Sequence, residues 1–318
     1  PRAGFWIALE QNGAWGPKAA VESHLDPELG RQLTDACSVR GGTFVLVRRP
    51  TGHADVSTPG RQLFVAYAGP SPWLLRATLP EGGLPDLLTR LDLDAVAGGD
   101  ETRVRDAMPE LCPVGPMLLV CTNGRRDQCC AIKGRRVALD ATEILADRPP
   151  ADPTRPVDND RIAVWESSHL GGHRFAATGL VLPVGRAVAR LDPTLAAALV
   201  TDASAGRMPA AVLDPRHDRG ATRLPPPAQV AEHAVRARCG DTAYLGWHAE
   251  VTSPAVLAKH PRPGEVAQVT VRHTDGRSWT VALSWQLREA LPESCGKAVV
   301  DNGTWSVVSI APVERHVG

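Results

Sequence analysis

Met117-Leu118-Leu119-Val120-Cys121-Thr122-Asn123-Gly124-Arg125-Arg126-Asp127-Gln128-Cys129-Cys130 sets the reading of the fold. Four apolar residues run straight into a cysteine and then an Asn-Gly turn, which predicts a buried strand that delivers Cys121 at its end. From Cys130 to Ala146 the apolar residues Ile132, Val137, Leu139, Ile144 and Leu145 suit a helix with Gly134 as a weak spot. A proline-rich loop, Arg148 to Pro156, leads to a second apolar run, Ile162-Ala163-Val164-Trp165, and a further strand is predicted about Gly179 to Pro183. Asp192 can cap a helix reaching about Ser204, with Pro193 at its first position, where a missing N–H costs nothing.

Outward from this centre the class is alternating α/β. Thr43 to Arg48 and Leu63 to Tyr67 are short β-branched or aromatic runs bounded by Gly or Pro, Trp73-Leu74-Leu75 continues as a third strand, and Leu84 to Leu93 places leucines at helical spacing. Beyond Gly206, Pro225 to Arg238 reads as a helix opened by prolines. Two hairpins are predicted after it, around Asp275-Gly276 and around Asn302-Gly303. Three domains are expected: an α/β unit over residues 1–105, a central unit over 106–206, and a helix plus antiparallel β-rich unit over 207–318. No internal repeat is visible in the sequence.

Lys plus Arg and Asp plus Glu are both 35, so the bulk charge offers nothing to nucleic acid or to an anionic membrane surface. No apolar run of about 18 residues is present, and the first residues lack the apolar core of a secretory signal, which predicts a cytoplasmic protein. Three of the seven cysteines, Cys121, Cys129 and Cys130, fall within ten residues. In a reducing compartment that clustering favours metal or redox chemistry over a disulfide framework. Cys37, Cys112, Cys239 and Cys295 read as core or surface thiols.

The chemistry concentrates in Cys121, Cys129-Cys130 and, further on, His169-Leu170-Gly171-Gly172-His173. Two thiolates and two imidazoles complete a four-ligand set that suits either tetrahedral zinc or an iron-sulfur cluster in which histidines replace two cysteines on one iron. Spacing does not choose between them. Two adjacent glycines cost about 1 kcal/mol each inside a helix, so the histidines belong on a loop whose free N–H groups can point at sulfur.

The ligand spacing, together with Gly124-Arg125-Arg126-Asp127-Gln128-Cys129-Cys130 and Trp165-Glu166-Ser167-Ser168-His169, resembles the sucrase/ferredoxin-like family of thioredoxin-like ferredoxins in its bis-histidine form. Phe5 to Glu10, Glu22 to Asp26 and Pro225 to Glu232 are also similar to bacterial members. The resemblance implies a thioredoxin-like ferredoxin domain in the central unit and a [2Fe-2S] cluster on Cys121, Cys130, His169 and His173; the N-terminal α/β unit is read beside it as a degenerate thioredoxin-like unit. Alignment at Arg126-Asp127 favours Cys130, with Cys129 as the alternative. Nothing in it implies glycosidase chemistry.

Such a cluster implies a one-electron carrier or redox subunit rather than a stand-alone enzyme. Neutral imidazoles leave an oxidised cluster formally less negative than four thiolates do, so its potential is expected within roughly −150 to +300 mV and dependent on pH. Arg125, Arg126 and Arg174, with Arg135 and Arg136, would raise that potential or dock an acidic partner. Asp127 and Glu166 are expected to support the ligands, Glu166 by fixing an imidazole tautomer. A structural zinc protein and a thiol-disulfide oxidoreductase using Cys129 and Cys130 are the competing readings. The redox donor and acceptor and the oligomeric state are not encoded in any motif.

Overall fold

Aspartates or prolines start most of the helices of this chain, and the apolar runs between them pair into strands. A computed structural model describes residues 2–51, 60–147, 163–253, 261–292 and 298–313. The Arg148 to Pro156 loop and Cys295 lie outside the described residues. The first half runs β1 (Phe5–Glu10), α1 (Pro27–Ser38), β2 (Gly42–Arg48), β3 (Arg61–Tyr67), β4 (Trp73–Leu79), then α2 (Leu87–Arg90), α3 (Leu93–Gly98), α4 (Glu101–Ala107) and the short β5 (Cys112–Pro113). The single helix expected over Leu84 to Leu93 is instead interrupted. Leu91 turns extended, and Asp92 accepts a hydrogen bond from the Ala95 N–H to start α3 afresh. A capping carboxylate overrides leucine periodicity there.

The second half runs β6 (Met117–Cys121), α5 (Arg135–Ala146), β7 (Val164–Ser167), β8 (Gly179–Leu182), β9 (Arg186–Val188), α6 (Pro193–Ser204) and β10 (Asp218–Ala221). Asp192 caps α6 by accepting from the Leu195 N–H, as the sequence predicts.

All ten strands form one sheet in the order β10-β9-β8-β6-β7-β2-β1-β3-β4-β5. Within it a topology occurs twice. β1 is parallel to β2 and antiparallel to β3, which pairs with β4; β6 is parallel to β7 and antiparallel to β8, which pairs with β9. The halves join where β2 and β7 run antiparallel through Val47↔Ser167 and Arg48↔Glu166. A two-fold axis through the Val47–Ser167 pair relates their registers: Glu10 pairs with Val47 as Cys121 pairs with Ser167. Cys121 therefore occupies in one half the place of Glu10 in the other, and Asn12-Gly13 matches Asn123-Gly124. The boundary expected near residue 105 falls inside α4, between strands of this one sheet.

Alternation sorts the core accordingly. Phe5, Ile7 and Leu9 pack under Leu29, Leu33 and Cys37 of α1, while Leu118, Val120 and Val164 pack under α5 and α6. On the other face Trp6, Ala8, Val47 and Phe64 join Leu119, Cys121, Trp165 and Leu180 in one cluster across both halves. At about 1.5–3 kcal/mol per large apolar side chain, this shared face binds the halves together.

The C-terminal part carries α7 (Pro226–Cys239) and an antiparallel sheet of β11 (Trp247–Val251), β12 (Val266–His273), β13 (Ser278–Pro292) and β14 (Val299–Pro312) in that order. Val269, Val271, Val281 and Leu283 point at Ala228, Ala231 and Val235 of α7. Asp275-Gly276 makes its hairpin, with Gly276 at φ 90°. The hairpin expected at Asn302-Gly303 does not form: β14 runs straight through it, pairing Leu287↔Gly303 and Arg288↔Asn302. Gly303 is there for packing, since a Cβ would stand 2.4 Å from the Trp285 ring. No helix among the described residues is long and apolar enough to cross a membrane.

A buried ionic network fastens α7 to the sheet edge. Arg186 of β9 donates to Asp218 at 2.8 Å and to Glu232 at 2.9 Å, Arg236 donates to Glu232 at 2.9 Å, and His233 meets Asp218 at 2.6 Å. None of these five residues was singled out by the sequence pattern.

Candidate metal centre

β6 is buried along its whole length and brings Cys121 to the end of a central strand, where its N–H donates to the Thr178 carbonyl at 2.9 Å. The loop after it is built by two side chains. Asn123 accepts from the Arg125 N–H at 3.1 Å and donates to the Gly16 carbonyl at 2.9 Å. Asp127, buried, accepts from the Cys129 N–H at 2.9 Å, and its carbonyl accepts from the Cys130 N–H at 3.1 Å. Asp127 is thus the cap of the helical segment that presents Cys130.

That segment does not open as the regular helix expected from Cys130 onward. Cys130–Gly134 is a π-helical turn ahead of α5, a device that widens a helix by one residue and concentrates at functional sites. Gly134 is not merely a weak helix former. A Cβ there would stand 2.2 Å from the Cys121 carbonyl oxygen, so only glycine lets the helix start touch the strand end.

The histidines sit on the loop after β7. Ser168 pins its start by exchanging hydrogen bonds with Leu46, and buried Leu170 anchors its middle. Gly171 (φ 76°) and Gly172 (φ 70°) both adopt left-handed backbone, which glycine alone enters freely, and a tight turn over His173–Phe175 comes next. The loop predicted from the paired glycines is present.

These elements bring the four sequence-predicted donors together. Cys121 hydrogen-bonds both Cys130 and His169, Cys130 Sγ lies 3.4 Å from His173 Nδ1, and the two imidazole centroids are 5.1 Å apart. Cys121 and Cys130 are buried; His169 and His173 are half-buried. The hydrogen bond from Cys130 holds the Cys121 thiol well below the ordinary thiol range despite burial, helped by His169 and the Leu170 N–H. The same shared bond, then burial, pushes Cys130 up. Burial and then His169 lower His173. Cys129 is half-buried beside this pair, with its N–H on Asp127.

Whether the residues fit a metal group is answered by one orphaned atom and by the donor chemistry. His169 Nδ1 is buried without a hydrogen-bond partner among the described residues, a costly state for a ring nitrogen that a metal would relieve. Two soft sulfurs and two imidazoles are donors for zinc or iron-sulfur. Among the described residues no three His, Cys, Asp or Glu side chains are gathered so as to hold one metal ion.

Of the supporting residues, Glu166 is fully buried and accepts from Arg48 Nε at 2.8 Å and from Thr122 Oγ1 at 2.9 Å, tying β7 to β2 and to the residue after Cys121. Arg48 also donates to the Gly13 carbonyl at 2.6 Å and lies 4.0 Å over the Trp15 ring. Arg125, Arg126 and Arg174 are exposed, Arg126 reaching the Pro17 carbonyl and Arg174 covering Phe175. Arg48 was the residue the sequence did not reveal, because its partner lies 118 residues away.

The molecule is thus a mixed α/β protein with a cysteine–histidine constellation at the end of a central strand. A family model described as sucrase/ferredoxin-like matches residues 46–215, just over half the chain and every candidate donor; the chain belongs to that family. No curated protein and no solved structure matches it.

Proposed function

We propose that the protein transfers single electrons through a [2Fe-2S] cluster held by Cys121, Cys130, His169 and His173. The observation that carries this reading is the convergence of two thiols and two imidazoles from two separate loops, with a buried imidazole nitrogen left without a partner. A two-iron cluster needs a pair of donors per iron rather than three or four around one point. When bound, it supplies a one-electron couple whose potential follows ligand charge, hydrogen bonds to sulfur and exposure.

The chain's own residues set those terms. The Leu170 N–H donates to Cys121 sulfur, which stabilises negative charge there. Burial shields both thiols, while the half-exposed imidazoles make loop 169–173 the side from which a partner reaches the donor set. Neutral imidazoles in place of thiolates lower the negative charge and raise the potential, and their titration gives electron uptake a dependence on pH.

The test is elemental. Two irons and two acid-labile sulfides per chain in reddish-brown protein are expected. One zinc without sulfide would replace this reading with a structural zinc site.

A further inference from the structure

Phe175 ends the turn that begins at His173, and three guanidinium groups gather on its ring. The Cζ atoms of Arg219, Arg174 and Arg190 lie 4.3, 5.0 and 5.8 Å from its centroid. They come from β10, from the turn itself and from the segment between β9 and α6. Attraction to the ring is worth about 0.5–1 kcal/mol each at an exposed site, and their mutual repulsion opposes it. Although Arg219 as a residue is exposed, partial desolvation of its guanidinium, then Arg174 and also Arg190, lower it from its ordinary value.

No carboxylate of the described residues pairs with any of the three. The neighbouring acid, Asp218, is occupied by Arg186 and His233. In a chain with 35 cationic and 35 acidic side chains, this local surplus is an arrangement rather than a bulk property. Its geometry is also imposed. Arg190 is the one non-glycine among the described residues with positive φ (51°), and its N–H is bonded to the Phe175 carbonyl at 2.9 Å. Strain of about 1–3 kcal/mol is thus tolerated at the residue that completes the triad.

Alongside lies a cavity of about 230 Å³ whose wall includes Arg219, Arg2 and the Gly171-Gly172 turn. Guanidinium forks match carboxylate and phosphate oxygens, and the volume admits a compact molecule. We propose that the arginine triad and this cavity form a binding site for a small, multiply charged oxyanion bearing phosphate or carboxylate groups. The site stands on its own residues, whatever the neighbouring donors hold.

Calorimetric titration of the full chain with pyrophosphate and with citrate, at ionic strength fixed with chloride, tests it; the probe that binds tells phosphate from carboxylate. Saturable binding is expected with at least one probe, weakened at least tenfold in Arg219→Gln and in Arg174→Gln and partly kept in Arg219→Lys, with Arg103→Gln unchanged. Each variant's melting temperature without anion checks its folding, and Arg174→Gln on the exposed turn serves if Arg219→Gln does not fold. Absence of saturable heat in the unmodified chain, or equal affinity in Arg174→Gln, would overturn the proposal.

Discussion

The two halves of the ten-stranded sheet share connection order and register but differ at one strand end. In the first half β1 ends in Glu10, whose carboxyl is raised by burial, accepts the Gln62 N–H at 3.0 Å and faces Arg49. In the second, β6 ends in Cys121, and the helix after it begins with Cys130 on a π turn. After Asn12-Gly13 the first half instead lays Trp15 beneath Arg48, which reaches across to Glu166. The same scaffold position is a structural anchor on one side and a candidate metal donor on the other. Side-chain chemistry and the start of one helix make the difference.

The largest expected effect separates these two positions outright. Cys121→Ser or Cys130→Ser should abolish iron binding, whereas Glu10→Gln should leave iron content intact; metal analysis of purified variants decides. Equal iron in Cys130→Ser would transfer the role to Cys129.

The bridge between halves comes next. Arg48→Met leaves the buried Glu166 carboxylate without its cation, and breaking a buried pair in this way costs about 3–5 kcal/mol, measurable by urea unfolding. Replacing both partners should recover part of that loss.

Two glycines then sharpen the comparison. Gly30 in α1 meets the Ala20 carbonyl and Gly134 meets the Cys121 carbonyl, each too closely for a Cβ. Both alanine substitutions should cost about 1–3 kcal/mol through overpacking. Only Gly134→Ala should also reduce iron content or shift the visible spectrum.

The smallest effect is in pH. Burial would raise Asp218, but Arg186 and His233 outweigh it and hold the carboxyl below its ordinary range. Its contribution is therefore present above about pH 4 and is lost as pH falls further. Glu10 has the opposite sign: with its folded-state value raised, its contribution is greatest at low pH and declines as pH rises past the ordinary carboxylate value. Unfolding free energies across pH 2–7 should show the loss below about pH 4 weakened in Asp218→Asn and the opposing slope removed in Glu10→Gln.

Cys121, the histidine pair and its glycine loop were legible because each is a local string whose chemistry has few other uses. Asp192 was legible because capping is local as well. The repeat was expected only as a degenerate N-terminal unit and could not be seen as a sequence match, since the halves share backbone pairing and little sequence beyond one Asn-Gly. The packing role of Gly134 and the non-turn role of Gly303 were not legible because they depend on what lies against them, a strand end and an indole. Glu232 and Arg236 look like an ordinary exposed helix pair at i,i+4 until α7 is packed against Arg186. Long-range burial, which no window of sequence displays, assigned their roles.

The most direct test of the central claim is EPR with nitrogen hyperfine analysis on reduced protein carrying ¹⁵N-labelled histidine. A paramagnetic two-iron signal coupled to two histidine nitrogens, both lost in His169→Cys/His173→Cys, is the predicted result. An iron signal without nitrogen coupling, or no iron signal from protein that has retained its metal, would contradict it.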